Sequence, residues 1–121
     1  MKDDFKKTVE EFAALVGQFR FEEAIDKYYN ENIVAHENED TPMTGLTKYR
    51  EATKSFDEDL IGEGSAELLD MIVGEDISAL YWHYKFEHRK MGKMDYLQLS
   101  VQRWRNGKII HERHHYKTEK W

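Results

Sequence analysis

Phe5, Val9, Phe12, Val16 and Phe19 recur at spacings of four, three, four and three. That spacing places them on one stripe of a helix, which Asp3 or Asp4 can cap and which Gly17 helps to end. Phe21, Ile25, Tyr28 and Tyr29 predict a second, shorter helix, and residues 33–37 a short strand. Residues 38–44 are polar, hold the only proline, Pro42, and read as a loop. Leu46, Tyr49, Thr53, Phe56 and Leu60 mark a third helix, with Thr44 as its expected cap. From Gly64 onward the period shortens to two. Residues 65–73, 77–88, 94–104 and 108–117 are expected as strands, joined by Gly74-Glu75-Asp76, by 89–93 and by Asn106-Gly107. Short links between consecutive strands imply an antiparallel meander, so helices followed by strands give an α+β class.

Composition narrows this only a little. A chain of 121 residues makes one domain spanning 1–121. It has no cysteine, so no disulfide is expected, and no apolar run nears the ~20 residues that span a bilayer. The start, Met1-Lys2-Asp3-Asp4-Phe5, lacks a signal peptide's apolar core, and a cytoplasmic location without membrane partners is expected. Acidic residues concentrate in the helical half, while five of the six histidines lie in the strand half. No basic stripe is present, so nucleic acid is not an expected partner.

The end of the chain holds the most chemistry. His111-Glu112-Arg113-His114-His115 matches the H-E-x-x-H zinc string. That string requires a helix, where two histidines four apart share a face. Here it follows Asn106-Gly107, the strongest short hairpin signal, so it falls on a strand and no metal site is expected. A two-residue turn at that point pairs Trp104 with Ile109, Val101 with Glu112, Leu99 with His114 and Leu97 with Tyr116. One face then carries Leu97, Leu99, Val101, Arg103, Ile110, Glu112, His114 and Tyr116. It is the more apolar face and is expected to look inward.

Trp104, Asn106-Gly107-Lys108-Ile109-Ile110, Glu112-Arg113 and Tyr116 resemble the closing segment of SnoaL-like proteins in the nuclear-transport-factor-2-like superfamily. Tyr28-Tyr29, Ile33-Val34-Ala35-His36-Glu37, Pro42 and Gly45 fit the same order. The resemblance runs from about Phe5 to Lys117. It implies three helices packed on a strongly curved, mainly antiparallel sheet, a cone-shaped half-barrel with an internal pocket. It also implies a homodimer through the outer sheet face. The superfamily includes polyketide cyclases, ketosteroid isomerases, epoxide hydrolases and non-catalytic binders. Cyclases and isomerases among them use a pocket carboxylate for proton transfer beside a carbonyl, and the aligned acid is Glu112. His114, His115 and Lys117 depart from the common pattern of aromatics and an acid.

The expected site follows. Glu112 is read either as a general base or as the partner of Arg103 in a structural ion pair. His114 could donate to a substrate oxygen and Tyr116 could supply an oxyanion-type bond; either could equally be structural. Leu80, Trp82, Tyr84 and Phe86 alternate inward on the preceding strand, so Trp82 and Tyr84 line the pocket, unless the register slips and brings His83 inside. Asp70, His36, Arg103 and Leu99 complete the expected ligand-binding set. The leading reading is a small-molecule-binding domain acting as a cofactor-independent cyclase or isomerase on a hydrophobic ring-type carbonyl compound. The alternative is a non-catalytic ligand-binding or dimerisation module with a structural Glu112–Arg103 pair. Epoxide hydrolysis would need Asp70, Arg103 and Glu112 around one water.

Overall fold

Helix α1 (Lys2–Gly17) turns Val9, Phe12, Ala13 and Val16 into the core, as its apolar stripe requires. The computed structural model describes residues 2–117. The helix ends in a left-handed turn at Phe19, φ 58°, with Arg20 N–H bonded to Leu15 C=O and Phe19 N–H to Val16 C=O. Glycine normally occupies such a position, and a bulky residue there is strained. Packing offsets the strain, because the Phe19 ring meets Phe21, Tyr84 and Phe86. It also lies over Gly64, where an added Cβ would sit inside the ring edge. Gly64→Ala is expected to displace Phe19 and cost about 1–3 kcal/mol, as overpacking does. Urea unfolding measures this, and an unchanged midpoint would refute the contact.

Helix α2 (Phe21–Tyr28) runs directly into strand β1 (Tyr29–Glu37), which is longer than its apolar centre suggested. The loop contains a two-residue strand, β2 (Met43–Thr44). Helix α3 (Leu46–Glu58) starts after Gly45, whose φ of 95° suits glycine, and no side chain caps it, so Thr44 does not play that part. Leu60, expected in α3, already belongs to β3 (Leu60–Val73). The remaining strands are β4 (Ile77–His88), β5 (Gly92–Arg105) and β6 (Lys108–Tyr116). They form one six-stranded sheet in the order β2-β1-β6-β5-β4-β3. The last four strands are the antiparallel meander, whereas β1 lies parallel to β6. Three helices and a mixed, unclosed sheet make this an α+β fold.

Asn106 (φ 52°) and Gly107 (φ 75°) both have the positive φ of the hairpin turn that their sequence calls for. Arg105 pairs with Lys108 and Trp104 with Ile109, as the turn dictates. The register then shifts. Arg103 pairs with His111 and Gln102 with Glu112, leaving Ile110 as the extra residue of a β-bulge. One inserted residue reverses which side chains share a face. Glu112, His114 and Tyr116 therefore face inward beside Gln102, Ser100 and Gln98. Leu97, Leu99, Val101 and Arg103 turn to the outer face, where Leu97 and Leu99 are 49% and 39% exposed. A second shift, between Leu68 and Asp70 on β3, pairs Asp70 with Tyr81 on the outer side. On β4 the inward set is Leu80, Trp82, Tyr84 and Phe86, and His83 points away from the core to meet Asp95.

Candidate functional site

A cavity of about 500 Å³ lies between the three helices and the inner sheet face. Phe12 of α1, Ile25 of α2, Phe56 of α3 and Trp82, Tyr84 and Phe86 of β4 supply its apolar walls. Such walls with a few convergent polar groups are the usual make-up of a small-molecule site. The polar groups come chiefly from β5 and β6, with Tyr29 and Glu37 from β1, Asp40 from the loop after it and Tyr49 from α3.

Glu112 is 1% exposed, yet it carries a charge and is well supplied with donors. Tyr29 O–H lies 2.8 Å from both carboxylate oxygens, Tyr49 O–H donates to Oε1 at 2.6 Å, and Gln102 Nε2 donates to Oε2 at 2.9 Å. The Gln102 amide is itself oriented. Its Oε1 accepts from Ser78 Oγ at 2.7 Å, and Ser78 Oγ accepts from Trp104 Nε1 at 2.9 Å. His114 Nε2 approaches Glu112 Oε1 at 3.3 Å. Its other nitrogen, Nδ1, lies 2.8 Å from Ser100 Oγ, which also accepts from Gln98 Nε2 at 3.1 Å.

Burial opposes ionisation of Glu112, but the His114 charge and the bonds from His114, Tyr49 and Gln102 outweigh it and hold the carboxyl at about 2. Burial likewise opposes the charge on His114, and the facing carboxylate outweighs that, raising the imidazole to about 9. The two form an ion pair at neutral pH, with imidazolium N–H groups directed at Glu112 and Ser100. Tyr29 and Tyr49 are pushed well above the usual phenol range, by burial first and by Glu112 second, so both stay protonated as donors. Both residues line the cavity, and His114, its side chain 18% exposed against 1% for Glu112, is the more accessible member of the pair. Removing an ion pair from water costs several kcal/mol per charge before its partners compensate. A pair so placed beside an aromatic-walled cavity is a functional-site candidate on physical grounds.

The fold gathers some of the expected residues and scatters others. Glu112, His114, Tyr116, Trp82 and Tyr84 all line the cavity. Arg103 and Leu99 do not, because the Ile110 bulge turns them outward, and the Glu112–Arg103 pair is replaced by Glu112–His114. Asp70 is exposed on the outer side, its carboxylate accepting from Met71 N–H at 2.9 Å. With Asp70 and Arg103 outside, the three-residue epoxide-hydrolysis arrangement is not assembled. His36 stands against the outer face, its ring 5.0 Å from that of His111. The H-E-x-x-H residues lie on β6 as a strand. Among the described residues no group of three or more His, Asp or Glu side chains is placed to hold a metal ion.

Tyr29, Tyr49, Gln98, Ser100 and Gln102 belong to the site in addition to the residues expected from the sequence. A signal was available. A tyrosine on the apolar stripe of a helix must find a partner for its hydroxyl, and three polar residues alternating along a central strand must share a face.

The SnoaL-like domain family matches residues 3–112 of the chain. Among curated proteins, none matches. Several solved structures share the fold. A SnoaL-like polyketide-cyclase candidate from Mesorhizobium loti is 24% identical, with 93% of this chain and 98% of that one covered and a TM-score of 0.78. The candidate hydroxylase AclR from Streptomyces galilaeus is 15% identical, with coverage of 98% and 78% and a TM-score of 0.74. A nuclear-transport-factor-2-like protein from Burkholderia pseudomallei is 11% identical, with coverage of 95% and 92% and a TM-score of 0.78. Identities this low speak for the fold alone. The match over most of its length shows that the chain belongs to the SnoaL-like domain family.

Proposed function

We propose that the cavity binds a compact, flat, largely apolar carbonyl compound and promotes proton transfer beside its carbonyl, without a cofactor. The observation that carries this reading is His114, held charged by a buried carboxylate and accessible from an aromatic-walled cavity. An imidazolium in that position gives its proton to a carbonyl oxygen and so acidifies the neighbouring C–H, whose proton leaves to water at the open end. Glu112 acts as a positioning residue. Held at about 2 with donors on both oxygens, it is a poor acceptor for a C–H proton, and its charge keeps His114 loaded. Trp82 and Tyr84 supply faces for a ring. A SnoaL-like polyketide-cyclase candidate among the structural neighbours is compatible with chemistry of this class.

The second reading is a non-catalytic binding domain, favoured by the degree to which Tyr29, Tyr49 and Gln102 already satisfy Glu112. One experiment separates the two. α-Hydrogen exchange of 1-tetralone in D2O is followed by proton NMR with wild type and with His114→Gln. The enzyme reading expects exchange well above the buffer rate and a loss of about 10²–10⁴-fold in the variant. Binding of the ketone with exchange at the buffer rate would leave only the binding domain.

A further inference from the structure

The open end of the cavity differs from its interior. Glu37, the last residue of β1, pairs with His114 and shares the inner face with Ala35 and Ile33. Asp40 follows in the loop, and both carboxylates line the cavity. Tyr84, Tyr96 and Tyr116 stand beside them. The Tyr84 and Tyr96 rings stack at 5.6 Å and 14°, and Tyr116 lies 5.6 Å from Tyr96. Burial raises the Tyr96 and Tyr116 phenols, and the nearby Glu37 carboxylate raises both further, so the three rings remain neutral.

The charge of the lining is one-sided. Among the described residues its acidic side chains are Glu37, Asp40 and Glu112, its basic group is His114, and no lysine or arginine contributes. Glu112 and His114 compensate each other. Among the described residues neither Glu37 nor Asp40 forms an ion pair, although Glu37 adds to the field on His114, so the lining holds three carboxylates against one imidazolium. Neutral aromatic faces beside fixed negative charge attract an organic cation twice, through the ring quadrupoles and through the carboxylates. A ligand bearing an anion would meet repulsion at the same entrance.

We infer that the ligand carries a protonated amine where it meets the cavity mouth, seated between the tyrosines and Glu37 with Asp40 at the rim. The inference rests on the carbonyl-binding reading above and names the class of compound within it: an apolar ring ketone with a basic amino substituent.

Two probes of nearly equal shape test it. The first, 4′-(dimethylaminomethyl)acetophenone, is a cation at pH 7. The second, 4′-isobutylacetophenone, is its neutral counterpart. Isothermal titration calorimetry gives the ratio of their affinities for the whole chain. The expected ratio favours the amine by about tenfold or more. It should fall toward one in the Glu37→Gln/Asp40→Asn double variant and stay unchanged in Glu39→Gln, an exposed acid outside the cavity. A ratio near one in wild type while the neutral ketone binds overturns the amine and leaves the carbonyl reading standing. A preference that survives in the double variant overturns the assignment of Glu37 and Asp40. If neither compound binds, both readings fall together.

Discussion

Replacing Glu112 by alanine is expected to destabilise the fold by about 3–5 kcal/mol, the range for removing one partner of a buried ion pair. The loss has several parts. Tyr29 and Gln102 lose their buried acceptor, Tyr49 keeps only the Tyr29 hydroxyl at 3.1 Å, and His114 loses the charge that outweighs its burial. A domain of this size is stable by only about 5–15 kcal/mol, so the variant would stand near the limit of folding. Glu112→Gln keeps an acceptor oxygen and is expected to cost less, about 1–3 kcal/mol. Urea unfolding across pH reveals the source of the effect. Glu112 is depressed from 4.5 to about 2, so its contribution is full above the higher value and is lost as pH falls through the lower. His114 is raised from 6.5 to about 9, so its contribution is full below the lower value and is lost as pH rises through the higher. The gap between wild type and Glu112→Gln should therefore be widest between pH 4.5 and 6.5 and narrow on both sides. A gap independent of pH would mean that the carboxylate acts through packing alone.

The second large effect is kinetic. His114→Gln keeps a polar side chain of comparable size but has no proton to give, and the expected loss of α-hydrogen exchange is about 10²–10⁴-fold. The wild-type rate should hold through neutral pH and decline as pH rises through about 9, where the imidazolium is lost. A rate that instead climbed from acid pH through neutrality would mark neutral imidazole or a carboxylate as the working group, and the roles assigned to His114 and Glu112 would have to be exchanged.

The helices and the meander were legible because their signals are local. The stripe from Phe5 to Val16, the alternation from Leu80 to Phe86 and the Asn106-Gly107 turn each depend on residues close together in the chain. The inward set of β4 followed from those signals; the inward direction of Glu112, His114 and Tyr116 was expected too, but on a face whose apolar members Leu97, Leu99 and Val101 in fact turn outward. The bulge at Ile110 was not legible. It depends on how β5 and β6 bend together over the core, and no residue at that point demands it. Its consequence was large, since it put Arg103 and Leu99 outside and replaced an expected Arg–Glu pair by His114–Glu112. Hydrophobicity misled at the same place. Leu97, Leu99 and Val101 are more apolar than Gln98, Ser100 and Gln102, yet the polar set turns inward because Glu112 and His114 need partners there. Tyr29 and Tyr49 come from segments 83 and 63 residues away from Glu112, a meeting that only the tertiary fold brings about.

The ion pair is tested most directly by observing His114 itself. Chain labelled with nitrogen-15 in its histidines, compared with His114→Gln to assign the ring, gives the protonation state of each imidazole nitrogen as pH is raised. The account predicts both nitrogens protonated at neutral pH and loss of a proton only near pH 9. A ring that is already neutral at pH 7, or that titrates at or below the ordinary 6.5, would contradict it.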